Sequence, residues 1–325
     1  MKIAFKLSAL LTVAMLSLCI IADVYAVSPS EAPVVRVASL KGPTTMGMAK
    51  LIKDSEAGEA YEFMLAGTAD EIVPALAKAE IDIAVIPANL AAILYNNLGG
   101  AIKAVAINNL GVLYIIEAGD SVHEINDLKN ATVYSTGKGT TPEFALNYIL
   151  QKNGIDPAID VNIEYKSESA EVAAALAAGA VKLAVLPQPY VTAVLSQNPG
   201  LRAALSLSEE WGKVSDDSAM VTGVVTARAA FIEQHPSAFA AFMEEYAASA
   251  AYVNENPGLA GEWIAELGIV ANAQLAAKAI PECNIVCITG DDMQKHLSGY
   301  LAVLHSQNPA AVGGELPDDA FYHNP

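Results

Sequence analysis

Basic residues are scarce in this sequence of 325 residues. There are 18 Lys and Arg against 36 Asp and Glu, which gives a formal net charge of −18. Nucleic acids and anionic membrane surfaces bind proteins through basic patches, so this composition argues against both as partners. It leaves open the charge of a small ligand, because that charge depends on a few local groups.

Long apolar runs are also scarce. The N-terminus has one, over residues 7–21, preceded by two lysines and followed by Val24-Tyr25-Ala26. About fifteen apolar residues are fewer than the ~20 that span a bilayer, and the small-residue pattern favours a signal peptide over residues 1–26. The sequence therefore predicts an exported protein, periplasmic or on the cell surface. A lipoprotein-like pattern at Cys19 keeps lipid attachment open as the less favoured alternative.

Patterns typical of catalysis or metal binding are missing from the sequence. The five histidines are scattered without metal-ligand spacing, and no Gly-x-Ser-x-Gly, P-loop or metal motif occurs. Cys283 and Cys287 lie in a strand-like stretch, in which four residues span ~13 Å. That separation is too large for a disulfide unless the chain turns there. We therefore expect no cofactor, no metal and no catalysis.

What the chain does contain is an internal repeat. At a shift of 100 positions, residues 69–79 align with residues 169–179, and residues 83–87 align with residues 183–187 without a gap. Each copy combines a polar turn, an amphipathic helix, an apolar strand and a proline. The sequence thus predicts two related lobes.

Strands that alternate with helices in each copy predict an α/β fold with a mainly parallel sheet covered by helices on both faces. Right-handed crossovers bring the carboxyl ends of such strands to one edge, where ligands bind. We expect lobe I to comprise residues 33–112 and 222–325 and lobe II to comprise residues 113–221, with two crossing segments between them. The C-terminal helices are expected to cover the sheet of lobe I.

The turns expected at these edges are rich in hydroxyl groups. A shift of 96 aligns Thr44-Thr45 in one turn with Thr140-Thr141 in the other. Thr45 and Thr141 are placed to cap their helices, which leaves Thr44 and Thr140 for a ligand. Two facing helix N-termini with these hydroxyls suit a small anion without any arginine, and Lys41 and Lys138 either add charge or are simply solvated.

The chain resembles the periplasmic-type solute-binding proteins of ABC importers. More narrowly it resembles their nitrate, sulfonate and taurine (NitT/TauT-type) branch, which also contains binders of thiamine-precursor pyrimidines. The resemblance rests on residues 39–47, 82–87, 136–143, 280–286 and 316–322. It implies a two-lobed periplasmic-binding-protein type II fold that closes on a small anion or zwitterion. It also implies delivery of that solute to a membrane permease, and we expect a monomer.

In that family polar turn residues contact the ligand. The resemblance therefore implies contacts from Thr44, Thr45, Thr68, Asn89, Thr140, Thr141 and Gln188. Lys41, Lys138 and Ser167 lie in the same turns and complete the candidate set.

Two other functions stay open at this point. The same fold hosts enzymes that make thiamine and menaquinone precursors, although the export signal and the lack of His and Cys in the turns argue against that role. The other alternative is a ligand sensor that acts on a separate signalling partner.

Overall fold

The computed structural model describes residues 33–55 and 60–324. The predicted signal peptide and Cys19 lie outside the described residues. The strands are β1 (Val35–Leu40), β2 (Tyr61–Ala66), β3 (Ile83–Pro87), β4 (Ile102–Leu110), β5 (Leu113–Ala118), β6 (Thr132–Thr136), β7 (Asn162–Lys166), β8 (Leu183–Pro187), β9 (Leu201–Ser206), β10 (Val221–Arg228) and β11 (Ile285–Ile288). The α-helices are α1 (Pro43–Met46), α2 (Ala49–Ser55), α3 (Ala69–Ala77), α4 (Ala88–Asn97), α5 (Thr141–Lys152), α6 (Ser169–Ala177), α7 (Tyr190–Gln197), α8 (Leu207–Val214), α9 (Ala229–Gln234), α10 (Pro236–Glu255), α11 (Pro257–Glu266), α12 (Ala273–Ala279) and α13 (Gly290–Gln307).

These strands form two sheets, one in each lobe. The first has the order β11-β4-β10-β3-β1-β2, and the second has the order β7-β6-β8-β5-β9. β1 pairs in parallel with β2 and β3, and β6 pairs in parallel with β7 and β8. β10 and β5 run antiparallel to their neighbours. Helices flank both sheets, so the predicted two-lobed α/β fold is confirmed.

The repeat in the sequence is also a repeat in the structure. α3 and α6 begin at Ala69 and Ser169, and β3 and β8 keep the same offset of 100 positions. The first four residues of β3 and of β8 are apolar and buried, as a parallel strand between two helical layers requires. The duplicated sequence therefore folds twice into the same strand-helix-strand unit.

The chain passes between the two sheets at two places. β4 ends at Leu110 and β5 begins at Leu113, so Gly111 and Val112 make the first crossing. The return passes through α8 and reaches the first sheet at Val221, where β10 begins. The lobe boundaries at 112/113 and 221/222 stay predictions, and the strands change sheet around them.

The C-terminal helices cover more than the sheet of lobe I. Residues of α10 pack against that sheet, with Phe242 in the same apolar cluster as Val37 and Val85. α13 contacts α4 of lobe I and also α5 of lobe II. As expected, α10 and α13 both contact the sheet of lobe I, and α13 additionally contacts lobe II. Its apolar side chains are numerous enough to face both lobes, and the buried ones are Met293, Leu297, Tyr300, Leu301 and Leu304.

An aromatic residue on α8 contacts both α5 and α13. Trp211 is fully buried, and its ring centroid lies 4.3 Å from that of Tyr148 on α5 and 5.5 Å from that of Tyr300 on α13. The indole N–H of Trp211 donates to the hydroxyl of Ser218 at 2.9 Å. Because its one polar atom is satisfied, the indole is buried at no hydrogen-bonding cost.

Both cysteines in the described part of the chain are free thiols. Cys283 ends a short helical turn just before β11, and Cys287 lies within that strand. Burial raises the pKa of Cys283 to about 12 and that of Cys287 to about 11. Neither thiol is therefore a reactive thiolate at neutral pH.

A partly buried ion-pair cluster connects the central strands β1, β3 and β10 of lobe I. Asp82 is 4% exposed and precedes β3, while Arg36 on β1 and Arg228 at the end of β10 both reach it. The carboxylate accepts from Arg36 Nε at 2.9 Å, Arg36 Nη2 at 2.8 Å and Arg228 Nη2 at 2.6 Å. Burial alone would raise the pKa of Asp82, but the hydrogen bonds from the two guanidinium groups outweigh it and lower that pKa.

Replacing this carboxylate tests the cluster. Asp82→Asn leaves two partly buried guanidinium groups without their counter-charge, so we expect a loss of about 3 kcal/mol in the free energy of unfolding, measured in urea. The exposed pair Lys50–Asp54 supplies the control, since Asp54→Asn should cost less than about 1 kcal/mol. Equal losses in the two variants would contradict the assigned role.

The lowered pKa adds a dependence on pH. A depressed carboxyl pKa stabilises the folded state above the ordinary value of 3.8 and loses that stabilisation as the pH falls through the folded-state pKa. The difference in unfolding free energy between the wild type and Asp82→Asn should therefore be constant near neutrality and shrink below about pH 4. A difference that stays constant into strong acid would contradict this assignment.

Candidate functional site

The parallel strands of each sheet bring their carboxyl ends to one edge. β1, β2 and β3 end there in lobe I, and β6, β7 and β8 end there in lobe II. The candidate residues follow these six ends. Lobe I contributes Lys41, Thr44, Thr45, Thr68 and Asn89, and lobe II contributes Lys138, Thr140, Thr141, Ser167 and Gln188.

Both edges adjoin the first crossing segment. Pro87, at the end of β3, pairs with Gly223 of β10, which in turn pairs with Asn109 near the end of β4. On the other side of the crossing, Leu113 pairs with Pro187. The backbone N–H of Gln188 donates to the carbonyl of Val112 at 2.9 Å. The two carboxyl edges therefore meet at the crossing, one from each lobe.

The paired threonines of lobe I are buried and hydrogen-bonded within their own lobe. Thr44 is 6% exposed and its hydroxyl donates to the carbonyl of Leu40 at 2.8 Å. Thr45 is fully buried and its hydroxyl also bonds to Leu40, at the end of β1, and lies 2.7 Å from the hydroxyl of Ser39. These two hydroxyls hold the short helix α1 against the strand from which it leaves.

Residues from β4, β10 and α10 complete this polar layer. The side-chain amide of Asn108 donates to the carbonyl of Thr44 at 2.7 Å, and the hydroxyl of Ser249 donates to the carbonyl of Gly47 at 2.7 Å. Gly223 leaves the space that the first contact needs. A Cβ atom at Gly223 would lie 2.4 Å from Asn108 Oδ1 and 2.5 Å from Thr44 Cγ2. Sequence reasoning missed Asn108 and Ser249 because they are distant in the chain from α1.

The helix that follows the equivalent turn of lobe II has a different kind of N-cap residue. Thr140 is the N-cap residue of α5, and its hydroxyl donates to the carbonyl of Gly137 at 2.6 Å. Thr141 is the first helical residue, and its hydroxyl contacts that of Tyr300 on α13. In lobe I the N-cap is Gly42. The predicted capping by Thr45 and Thr141 is therefore wrong.

The two prolines occupy different positions in their helices. Pro43 opens α1, a position that proline favours because it has no N–H to leave unbonded, so both threonines of lobe I fall inside the helix. Pro142 is instead the second residue of α5, and Thr140 is the N-cap. The sequence alignment pairs the threonines correctly, but the helices begin at different points of that alignment.

Carboxylates from the protein itself already occupy two of the helix N-termini. Glu71 in the first turn of α3 accepts from the backbone N–H groups of Gly67 and Thr68, each at 3.0 Å. Glu143 in the first turn of α5 accepts from the N–H of Gly139. Such N–H groups are the ones that an anionic ligand would use. A ligand anion at either turn would therefore meet a like charge.

The two candidate lysines are exposed but have neighbours within the protein. Lys41 extends toward the end of α11, where a Cβ atom on Gly268 would lie 3.7 Å from its ammonium nitrogen. A positive charge is favourable at a helix C-terminus. The ammonium of Lys138 lies 5.8 Å from the ring centroid of Tyr165. Both lysines are held near the carboxyl edges and remain accessible to a solute.

The other edge candidates differ in accessibility. Thr68 and Ser167 are exposed at the ends of the turns after β2 and β7. Asn89 is half-buried in the first turn of α4, and its amide approaches the carbonyl of Ala311 at 3.5 Å. Asn89 is therefore directed toward the C-terminal segment.

Gln188 lines an open pocket of about 380 Å³ to which residues from both sides of the crossing contribute. Its side-chain oxygen accepts from the backbone N–H of Thr192 at 3.2 Å and from its hydroxyl at 2.7 Å. The pocket is lined by Tyr114, Gln188, Val191, Thr192, Leu195, Ser196, Ala203, Lys278 and Glu282. Sequence reasoning missed Lys278 and Glu282, since nothing along the chain relates them to the repeated turns.

A hydrogen bond across the crossing borders this pocket. The hydroxyl of Tyr114, on β5, lies 3.0 Å from the carbonyl oxygen of Glu282 and 3.1 Å from its carboxylate oxygen Oε2. Burial and the nearby charge of Glu282 raise the pKa of Tyr114 above its usual range. Tyr114 is therefore a neutral donor that fixes the position of Glu282.

Two α/β lobes joined by two crossings, with their carboxyl edges meeting at the crossing, define the periplasmic-binding-protein fold. The chain belongs to the NMT1-like family, whose model matches residues 46–269. This result confirms the family resemblance and the fold class predicted from the sequence. No curated protein matches the chain in sequence.

Solved structures share the fold over most of the chain. An ABC transporter protein of Parabacteroides distasonis is 25% identical, with a TM-score of 0.75, over 90% of this chain and 99% of that one. The periplasmic aliphatic sulphonate binding protein SsuA of Escherichia coli is 16% identical, with a TM-score of 0.67, over 86% and 94% of the two chains. A putative periplasmic sulfonate-binding protein SsuA of Methylobacillus flagellatus is 19% identical, with a TM-score of 0.63, over 89% and 90%.

Two glycine substitutions test the close contact beneath α1. Gly223→Ala forces Asn108 and Thr44 apart, so we expect a loss of about 1–3 kcal/mol in the free energy of unfolding. Gly212 lies inside α8 with nothing within 4 Å of an added Cβ atom, so Gly212→Ala should stabilise the protein by up to about 1 kcal/mol. Urea unfolding measures both. If Gly223→Ala is as stable as the wild type, the contact is looser than the structure indicates.

Proposed function

We propose that this protein is an extracytoplasmic receptor that closes on a small anion or zwitterion and delivers it to an ABC importer. The proposal is carried by one observation. The carboxyl edges of the two related sheets meet at the first crossing, and residues on both sides of that crossing line one pocket. A molecule bound there contacts both lobes and so favours the closed arrangement. The names of the similar structures, an ABC transporter protein and two sulfonate-binding proteins, support the same role.

Export and assembly are part of this proposal. The N-terminal pattern favours export to the periplasm or cell surface. Lipid attachment at Cys19 is the less favoured alternative. In the described part of the chain no helix is both long and apolar enough to cross a membrane. We propose lobes of residues 33–112 with 222–325 and of residues 113–221, acting as a monomer that docks on a membrane permease.

The candidate residues divide into two groups by accessibility. The exposed group is proposed to contact the solute directly, and it comprises Lys41, Thr68, Lys138, Thr140 and Ser167. The buried or half-buried group is proposed to shape the site and to offer any group not already bonded, and it comprises Thr44, Thr45, Asn89, Thr141 and Gln188. Family membership does not favour the synthase alternative, and we propose a protein without catalytic activity.

A solute screen on ligand-stripped protein tests the receptor function. A solute that binds only the folded state, at a free concentration one hundred times its Kd, should add about 2.7 kcal/mol to the free energy of unfolding. The melting temperature should rise accordingly. Sulfonates, nitrate, carboxylates, pyrimidines and amino acids form the panel. The proposal fails if none of these solutes stabilises the protein or if the protein converts one of them into a product.

A matched pair of lysines tests the edge of lobe II. Lys138 lies in the turn before α5 and Lys152 is the last residue of α5, and each ammonium is within 6 Å of a tyrosine ring centroid. We expect Lys138→Gln to weaken binding of an anionic solute about tenfold, a change of roughly 1.4 kcal/mol, and Lys152→Gln to leave it unchanged. Calorimetric titration measures both. Equal affinities would place the lobe II contact outside this turn.

A further inference from the structure

The pocket beside α7 has walls of three chemical kinds. Val191 and Leu195 of α7 and Ala203 of β9 supply an apolar surface. Gln188 and Thr192 supply an amide and a hydroxyl, and Lys278 and Glu282 supply one positive and one negative charge. A volume of about 380 Å³ is within the range of about 300–1,000 Å³ that is usual for small-molecule sites.

Lys278 and Glu282 do not form an ion pair with each other. Lys278 forms no ion pair among the described residues, and the carboxylate of Glu282 is bonded to the hydroxyl of Tyr114. That bond uses Oε2, which leaves Oε1 for a further donor. Lys278 is in the last turn of α12, and α12 contacts α7 across the lobes. The pocket thus offers an anionic group held by Tyr114 and a cationic group on the last turn of α12.

Gln188 and Thr192 each leave one polar group free to bond to a ligand. The oxygen of the Gln188 side chain is occupied by Thr192, so the Gln188 amide nitrogen is the part left to donate. The Thr192 hydroxyl gives its proton to Gln188, so its oxygen is left to accept. One donor and one acceptor therefore lie beside the two charged groups.

We propose that this pocket binds an amino acid with an apolar side chain. The ligand ammonium bonds to Glu282 and Thr192, the ligand carboxylate bonds to Lys278 and the Gln188 amide, and the side chain packs on Val191, Leu195 and Ala203. A simple anion is a poorer guest, because the Glu282 carboxylate repels it. This inference rests on the proposed receptor function, narrows the solute to a zwitterion, and places the selecting contacts in this pocket, whose lining includes none of the exposed turn residues.

The test begins with calorimetric titration of the apolar L-amino acids into ligand-stripped protein. The tightest binder is then compared with its deaminated acid and its decarboxylated amine, which are L-leucine, 4-methylpentanoate and 3-methylbutylamine if leucine is that binder. Each truncated analogue should bind at least tenfold more weakly than the amino acid. Each lacks one of the two charges that the pocket recognises.

Two variants and two controls assign the charges. Lys278→Gln and Glu282→Gln should each weaken binding of the amino acid at least tenfold. The exposed controls Lys182→Gln and Glu262→Gln, which remove the same charges outside the pocket, should not. Glu282→Gln should in addition bind the deaminated acid as tightly as the wild type does, or more tightly, because it removes a repulsion. A general loss of structure would instead weaken every ligand.

Three results overturn the inference. If a simple anion binds and the pocket variants match their controls, the receptor function stands but the site and solute class are wrong. If an amino acid binds with the same affinity to both pocket variants, the site is elsewhere. If no solute of any class binds, both the inference and the proposed function fail.

Discussion

The geometry of parallel strands is the constraint on which this structure depends. Two neighbouring parallel strands need a crossover between them, so each strand ends at the same edge and each following helix begins there. The unit occurs once in each lobe, with an offset of 100 positions between β3 and β8. Because the first crossing joins the two carboxyl edges, the polar turns of both copies gather around a single segment of two residues.

Helix N-termini attract anions in general, yet here the protein supplies some of the anions itself. Glu71 and Glu143 accept N–H groups at the starts of α3 and α5, and the hydroxyls of Thr44 and Thr45 return to the strand before α1. These contacts stabilise the turns, because they satisfy groups that would otherwise be unbonded. The two carboxylates also reduce the positive potential that α3 and α5 would otherwise present. The chemistry of the solute then depends on side chains more than on helix dipoles.

Much of the fold was predictable from the sequence because the repeat preserves spacing. Residues 83–87 and 183–187 align without a gap, and each forms a central strand. Details of the turns were not predictable, since the aligned threonines have the same chemistry although α1 begins at Pro43, before both of its threonines, and α5 begins at Thr141. Asn108 and Gly223 escaped notice because their role arises from contact between β4, β10 and α1. The same is true of Lys278 and Glu282, which only the folded chain brings beside Gln188.

Helix α13, which contacts both lobes, makes the two sides of the lobe interface unequal. Leu113 and Ile115 of β5 face the apolar cluster that includes α13 and Trp211, whereas Tyr114 and Ile116 face the opposite side, toward α7. Separating the lobes on the α13 side would expose a continuous apolar core, which costs free energy in proportion to its area. On the α7 side the lobes meet through the contact between α12 and α7 and the hydrogen bond of Tyr114. Opening on the α7 side would break only that helix contact and that hydrogen bond, whereas opening on the α13 side would expose the buried apolar side chains.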